Sequence, residues 1–171
     1  MNGAAERIFE RAKWLLKDMV AFDTVSHRSN LELIKYIEQY LSNNNISSYR
    51  VLSECGDKAN LFATIGPEVN GGLILSGHVD VVPVEGQAWT HDPFDLVERD
   101  GKLFGRGSCD MKGFVALALA SAPEFKNLEL SRPVHLAISY DEEVGCLGVR
   151  GLIQDLVKKD IRPAMGIVGE P

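Results

Sequence analysis

The chain has 171 residues, of which 45% are hydrophobic and 25% are charged, and this fits one soluble globular domain. Its formal net charge of −6 argues against a nucleic-acid or anionic-membrane partner, because both attract basic surfaces. No stretch reaches the ~18 apolar residues that a membrane span needs. The N-terminal residues lack the basic and apolar regions of a secretory signal, so we expect a cytoplasmic protein.

Apolar spacing predicts the secondary structure in chain order. A helix is predicted over about residues 5–21, and a second one from a capping box at Ser29-Asn30-Leu31-Glu32 to Asn43-Asn44-Asn45. Strands follow at 48–54, 59–65, 73–76, 102–104, 133–140 and 164–168, and two more helices at 111–122 and 148–158. Residues 81–100 show no clear periodicity and are predicted to form a long loop.

This alternation predicts an α/β fold, a three-layer sandwich with a mostly parallel or mixed central sheet. The sequence stops at Pro171, directly after the last predicted strand and Glu170. Because a domain normally covers the edge of its final strand, we expect the chain to be the front part of a longer protein.

A histidine and several acids follow predicted strands or a glycine-rich turn. The set comprises His78, Asp80, Asp110, Glu142, Glu143 and Glu170. Strand ends on one rim of an α/β sheet are where such folds build their sites, so we expect these side chains to lie together. A histidine with several carboxylates predicts a hydrolytic site for one or two divalent metals.

Each of these motifs has another explanation when it is taken alone. His78 and Asp80 point to the same side of an extended chain, where the aspartate could share a ligand or orient the imidazole, or both could flank a loop. Asp110 could cap the following helix, and Asp141-Glu142-Glu143 could be a solvated turn. The recurrence of acids in four separate segments favours the metal site.

Several other polar residues near these motifs are interpreted without a chemical role. Lys112 could pair with a neighbouring acid, and Val25-Ser26-His27 and His91-Asp92 are interpreted as surface residues. The odd number of cysteines, without C-x-x-C spacing, predicts reduced thiols and disfavours a redox function. They are Cys55, Cys109 and Cys146.

Five longer motifs follow one another along the chain from about residue 70 onward. They are Ser76-Gly77-His78-Val79-Asp80-Val81-Val82-Pro83, Trp89-Thr90-His91-Asp92-Pro93-Phe94, Gly105-Arg106-Gly107-Ser108-Cys109-Asp110-Met111-Lys112-Gly113, Asp141-Glu142-Glu143-Val144-Gly145 and Gly169-Glu170-Pro171. In these motifs the chain resembles the dinuclear-zinc amidohydrolases that include acetylornithine deacetylase, succinyl-diaminopimelate desuccinylase, aminoacylase and glutamate carboxypeptidase.

The resemblance implies a zinc-peptidase-like catalytic domain with two Zn²⁺ per complete site, for which Co²⁺ could substitute. His78 would bind one metal, and Asp110 would bridge both. Glu143 would bind the second metal, and Glu170 would complete the first. The peptide bond between Asp110 and Met111 is, by the same resemblance, a candidate for the cis form.

The remaining two residues of the set would act in catalysis. The resemblance implies that Glu142 is the general base, which takes a proton from the attacking water and passes it to the departing amine. Asp80 would orient His78 and raise its basicity as a ligand.

Two features make the sequence most similar to that of acetylornithine deacetylase. They are Phe114, which follows Asp110-Met111-Lys112-Gly113, and the motif Trp89-Thr90-His91-Asp92-Pro93-Phe94. This implies hydrolysis of N-acetylornithine to ornithine and acetate in arginine biosynthesis. Gly169-Glu170-Pro171 fits the desuccinylase equally, so that enzyme, a related aminoacylase or carboxypeptidase, and a non-catalytic metal-binding fragment stay open.

Relatives of this kind are homodimers that act on small N-acyl amino acids, and they carry a dimerisation domain and a returning catalytic segment with a last histidine ligand. The resemblance therefore implies that residues 1–171 are the N-terminal portion of the catalytic domain. We expect such a portion to have little or no deacetylase activity.

Overall fold

A computed structural model describes residues 3–171. The helices in this range are α1 (Gly3–Val20), α2 (Leu31–Asn43), α3 (Lys112–Lys126) and α4 (Leu147–Lys158). The strands are β1 (Ser48–Leu52), β2 (Ala59–Ile65), β3 (Leu73–His78), β4 (Val97–Arg99), β5 (Lys102–Phe104), β6 (Val134–Ser139) and β7 (Met165–Val168). None of these helices combines the length and the apolar character needed to cross a bilayer.

Five strands form one mixed sheet in the order β1-β2-β6-β3-β7. Strand β3 runs parallel to β6 and β7, whereas β2 runs antiparallel to β1 and β6. The carboxyl ends of β3, β6 and β7 therefore meet at one end of the sheet, together with the amino end of β2. We call this end the carboxyl rim.

The two faces of the sheet are covered by different helices, because side chains alternate along each strand. One face, which includes Leu61 and Leu136, packs against α1, α2 and α3 in the main core. The opposite face, which includes Phe62 and Ala137, packs against α4. This arrangement confirms the predicted three-layer α/β sandwich with a mixed sheet.

The second helix begins at Leu31, so the capping-box interpretation of Ser29 is wrong. Its N-cap is Asn30, which makes no side-chain cap hydrogen bond. The Asn30 amide instead exchanges two hydrogen bonds of 2.9 Å with the backbone of Ala59. Ser29 lies one position before the N-cap and accepts a hydrogen bond from the Leu31 N–H at 3.2 Å, while Asn30 ties the start of the helix to β2.

The predicted loop at 81–100 contains a strand that the periodicity did not indicate. Strand β4 pairs with β5 in a hairpin that is closed by Asp100 and Gly101. These two residues have φ angles of 53° and 71°, which are the left-handed values that tight hairpin turns require. Three residues are too few to display a strand pattern, although the Asp-Gly pair is a turn signal.

Val25 and Ser26 are buried, so the interpretation of these two residues as surface is wrong. Val25 forms a parallel bridge with Val81, and the Ser26 N–H donates to the Val81 carbonyl at 3.1 Å. Ser26 is only 7% exposed. His27 is exposed as expected.

His135 is a buried histidine in β6, far from the acidic motifs in sequence. It is 3% exposed and stacks on Phe62 with ring centroids 5.3 Å apart. Its Nδ1 lies 2.9 Å from Thr64 Oγ1. Burial lowers the pKa of His135 below its ordinary value.

This burial predicts an acid-dependent loss of stability. Below pH about 6.5, the ordinary histidine pKa, the unfolded chain takes up a proton that buried His135 resists, so the free energy of unfolding should fall as pH falls. Urea unfolding between pH 7.5 and 5.5 should show a weaker fall for His135→Phe than for the unmodified chain. The exposed His27→Phe variant is the control, and an unchanged pH dependence in His135→Phe would contradict the prediction.

Candidate metal centre

His78 ends β3 at the carboxyl rim and is 1% exposed. Its Nδ1 lies 2.9 Å from the backbone oxygen of Asp80 and 3.3 Å from Asp80 Oδ1. Because a carbonyl oxygen can only accept a hydrogen bond, Nδ1 carries the proton. When the ring is neutral, its lone pair is therefore at Nε2, as in a metal-ligating histidine.

Three carboxylates converge on that nitrogen. His78 Nε2 lies 3.2 Å from Asp110 Oδ1, 3.6 Å from Glu170 Oε1 and 3.7 Å from Glu142 Oε2. The donor atoms of His78, Asp110 and Glu170 all lie within 4.8 Å of one another. One imidazole nitrogen and two carboxylates in this space fit a divalent metal such as zinc.

His78 and Glu170 each follow a glycine that packs closely against side chains at the start of α3. A Cβ at Gly77, next to His78, would lie 2.9 Å from the Met111 and Val115 side chains. A Cβ at Gly169 would overlap the ring of Phe114, so a larger residue there would displace Phe114 or the segment that carries Glu170. The Asp110–Met111 peptide bond is cis, as the sequence led us to expect.

Asp80 lies at the centre of the site and is only 2% exposed. Its carboxylate accepts hydrogen bonds from Ser26 Oγ at 2.8 Å and from the backbone N–H groups of Glu142 and Glu143 at 3.1 and 3.3 Å. Burial raises the pKa of Asp80, but the hydrogen bonds from His78, Ser26 and the Glu142 N–H outweigh burial and lower it. Asp80 is therefore an anion that joins His78 to the loop after β6.

That loop carries Glu142 and Glu143 in different settings. The Glu142 carboxylate is partly exposed, faces His78 and accepts a hydrogen bond from Cys146 Sγ at 3.2 Å. Glu143 is outside the three-residue group around His78 Nε2. Burial and the charges of Asp110, Asp80 and Glu142 raise the pKa of Glu143, against the opposing charge of His78.

The negative charges of this cluster shift the pKa values of His78 and Glu170. Burial lowers the pKa of His78, but hydrogen bonding to Asp80 and the charges of Asp80 and Glu170 raise it to about 9. Burial and the charges of Asp110 and Glu142 raise the pKa of Glu170 against the opposing charge of His78. The negative charges of Asp80, Asp110, Glu142 and Glu170 thus favour positive charge at the point that Nε2 faces.

Lys112 does not pair with a neighbouring acid, so that interpretation is wrong. It is fully buried, and its Nζ donates to the carbonyl oxygens of Met19 and Phe22 at 3.0 and 2.8 Å. Burial lowers the pKa of Lys112 to about 7, against the charges of Asp23 and Asp80. Lys112 thus ties the start of α3 to the end of α1, where unpaired helix carbonyls need donors.

Sequence reasoning missed two residues that contact the site, Ser26 and Lys58. Lys58 Nζ donates to the Ser26 carbonyl at 2.6 Å and to Asp141 Oδ1 at 2.7 Å. A lysine beside a Gly-Asp turn is typical of a surface, and only the pairing of β2 with β6 brings it to the rim. The three cysteines are free, as predicted, and all three are exposed.

Known proteins are similar to this chain in sequence and in fold. The chain is 39% identical to acetylornithine deacetylase of Pasteurella multocida (strain Pm70) over 154 residues, which are 90% of this chain and 39% of that protein. An M20-family metallo-carboxypeptidase from Sulfolobus solfataricus superposes with a TM-score of 0.79 at 21% identity, over 92% of this chain and 37% of that one. Human carnosine dipeptidase 1 superposes with a TM-score of 0.71 at 25% identity, over 90% and 37%.

The chain thus spans less than half the length of each of these relatives. The sequence pattern of the group described as "Peptidase family M20/M25/M40" matches residues 74–171, which is more than half of the chain. The chain therefore belongs to that family.

Proposed function

We propose that the chain contributes most of a dinuclear metal site that hydrolyses the amide bond of an N-acyl amino acid. The observation that carries the proposal is the lone pair of His78 Nε2, which faces Asp110 and Glu170 while Nδ1 is held by Asp80. A merely solvated acidic rim would not need a buried histidine of fixed tautomer. The geometry therefore favours the metal-site interpretation over an unliganded acidic turn.

We propose that the donors divide between two metals, as the family resemblance implies. His78, Asp110 and Glu170 would hold the first zinc, and Asp110 with Glu143 would hold the second. Bound zinc supplies an acidified water and a polarised carbonyl. Two protein ligands at the second metal fall short of the three that catalytic zinc sites use, so we propose that a further ligand lies outside these 171 residues.

Glu142 would be the general base of the reaction. Its Oε2 lies 3.7 Å from His78 Nε2, beside the cluster, and its Oε1 is held by the Cys146 thiol. It would take a proton from the attacking water and give it to the leaving amine, and a carboxylate product would be released. Asp80 would act through His78, by keeping the proton on Nδ1.

The substrate that we favour is N-acetylornithine, in arginine biosynthesis in the cytoplasm. The support is the identity of 39% to the Pasteurella multocida acetylornithine deacetylase and the motif around Phe114. A succinylated or other N-acyl amino acid is the alternative, because the acids of the cluster would contact metal and water rather than the acyl group.

Substituting Glu142 and Glu143 separately should distinguish their roles. Both Glu→Gln changes preserve size and remove one charge. Glu143→Gln should weaken binding of the second zinc at least tenfold, whereas Glu142→Gln should leave zinc affinity unchanged. Turnover, where it is detectable, should fall by about 10²–10⁴ in Glu142→Gln, because general acid–base catalysis contributes that much.

Zinc binding can be followed by competition with a chromophoric chelator, and turnover by release of the free amine. Equal loss of zinc affinity in both variants would contradict the assigned roles. Absence of any zinc binding to the unmodified folded chain would overturn the metal-site proposal itself.

The purified 171-residue chain should hydrolyse N-acetylornithine slowly or not at all, because its second metal lacks a ligand. The measurement is steady-state turnover with excess zinc, compared with N-succinyl-diaminopimelate and an N-acetylated apolar amino acid. Robust turnover of N-acetylornithine by this chain would show that the site is complete without further residues.

A further inference from the structure

The ammonium group of Lys58 joins two segments that both hold Asp80. It donates to the backbone oxygen of Ser26 at 2.6 Å and to Asp141 Oδ1 at 2.7 Å, and it lies 5.9 Å from the centre of the Tyr140 ring. The Lys58 and Asp141 side chains are only 14% and 15% exposed. The pair is therefore screened less by solvent than an ordinary surface ion pair.

One chain of hydrogen bonds connects Lys58 to Asp80 through Ser26. The backbone of Ser26 is held by Lys58, and its hydroxyl donates to Asp80 Oδ2 at 2.8 Å. The Ser26 N–H is bonded to the carbonyl of Val81. Lys58 thus fixes the segment that supplies one of the donors to Asp80.

The second connection from Lys58 to Asp80 runs through the loop after β6 that contains Asp141, Glu142 and Glu143. We call this loop the acidic loop. Asp141 has a φ of 55°, a left-handed conformation that aspartate tolerates better than most residues. The turn at Asp141 directs the N–H groups of Glu142 and Glu143 to the two oxygens of Asp80. The Lys58–Asp141 ion pair holds the side chain of the residue at which the chain turns.

The two connections close a ring of hydrogen bonds and backbone segments. It runs from Lys58 through Asp141, the acidic loop, Asp80 and Ser26 back to Lys58. We infer that Lys58 is a positioning residue for this site, because it sets the loop from which Glu142 and Glu143 extend. The inference rests on the proposed metal site and deepens it. Groups that hydrogen-bond a metal ligand directly typically change metal affinity 10–100-fold when they are lost. Lys58 acts one contact further out, through Ser26 and Asp141, so its loss should have an effect at the lower end of that range.

The test is zinc and cobalt binding by Lys58→Met, which keeps the aliphatic stem but removes the charge and the donors. We expect zinc affinity to fall about tenfold and the visible absorption of bound Co²⁺ to change, because the carboxylates of the loop are displaced. Lys58→Arg, which keeps the charge and donors, should recover most of the affinity.

Lys159→Met is the matched control. Lys159 also pairs with an aspartate, Asp155, at 2.8 Å and also lies over a tyrosine ring, that of Tyr49, but it belongs to the α4 face away from the site. Its loss should leave zinc affinity and the cobalt spectrum unchanged. An equal loss in Lys159→Met would overturn the inference, because general destabilisation would then explain the effect.

Asp141→Asn removes the same ion pair from its other side and covers the case in which Lys58→Met does not fold. It should lower zinc affinity by a similar factor, and the double variant should lose little more than either single variant. Losses that multiply in the double variant would overturn the inference, as would wild-type metal binding in a folded Lys58→Met. Failure of the unmodified chain to bind zinc would instead overturn the proposed function.

Discussion

The structure of the site depends on one buried carboxylate, that of Asp80. A charge that is 2% exposed loses most of its hydration, and this costs several kcal/mol unless hydrogen bonds replace the water. Asp80 receives those bonds from Ser26, from His78 and from the N–H groups of Glu142 and Glu143. The same bonds that stabilise its charge fix the tautomer of the histidine and the path of the acidic loop.

The mixed sheet explains why these groups meet. Parallel pairing brings the carboxyl ends of β6, β3 and β7 to one rim, and the acidic loop, His78 and Glu170 follow those ends. The antiparallel strand β2 starts at the same rim, so Lys58, which precedes β2, arrives beside Asp141. A fully parallel sheet would place the start of that strand at the opposite end.

The fold class, most element positions and the residues around His78 could be predicted from the sequence, because apolar runs and the acids that follow them are local patterns. Ser26 and Lys58 could not, since each depends on a long-range pairing, of Val25 with Val81 and of β2 with β6. Lysine side chains usually lie on the surface. Lys112 is buried because its ammonium group donates to the carbonyl oxygens of Met19 and Phe22, 93 and 90 residues away in the chain. Strand β4 was missed because it has only three residues.

The charges around His78 would stabilise a cation there. Asp110, Glu142 and Glu170 lie within 4 Å of one nitrogen, and burial together with the charges of Asp110 and Glu142 raises the pKa of Glu170. A proton on Nε2 would relieve part of this repulsion, and the raised pKa of His78 reflects that. A divalent ion at the same lone pair carries twice the charge and contacts the carboxylates directly, so the electrostatics that favour the proton favour the metal more strongly.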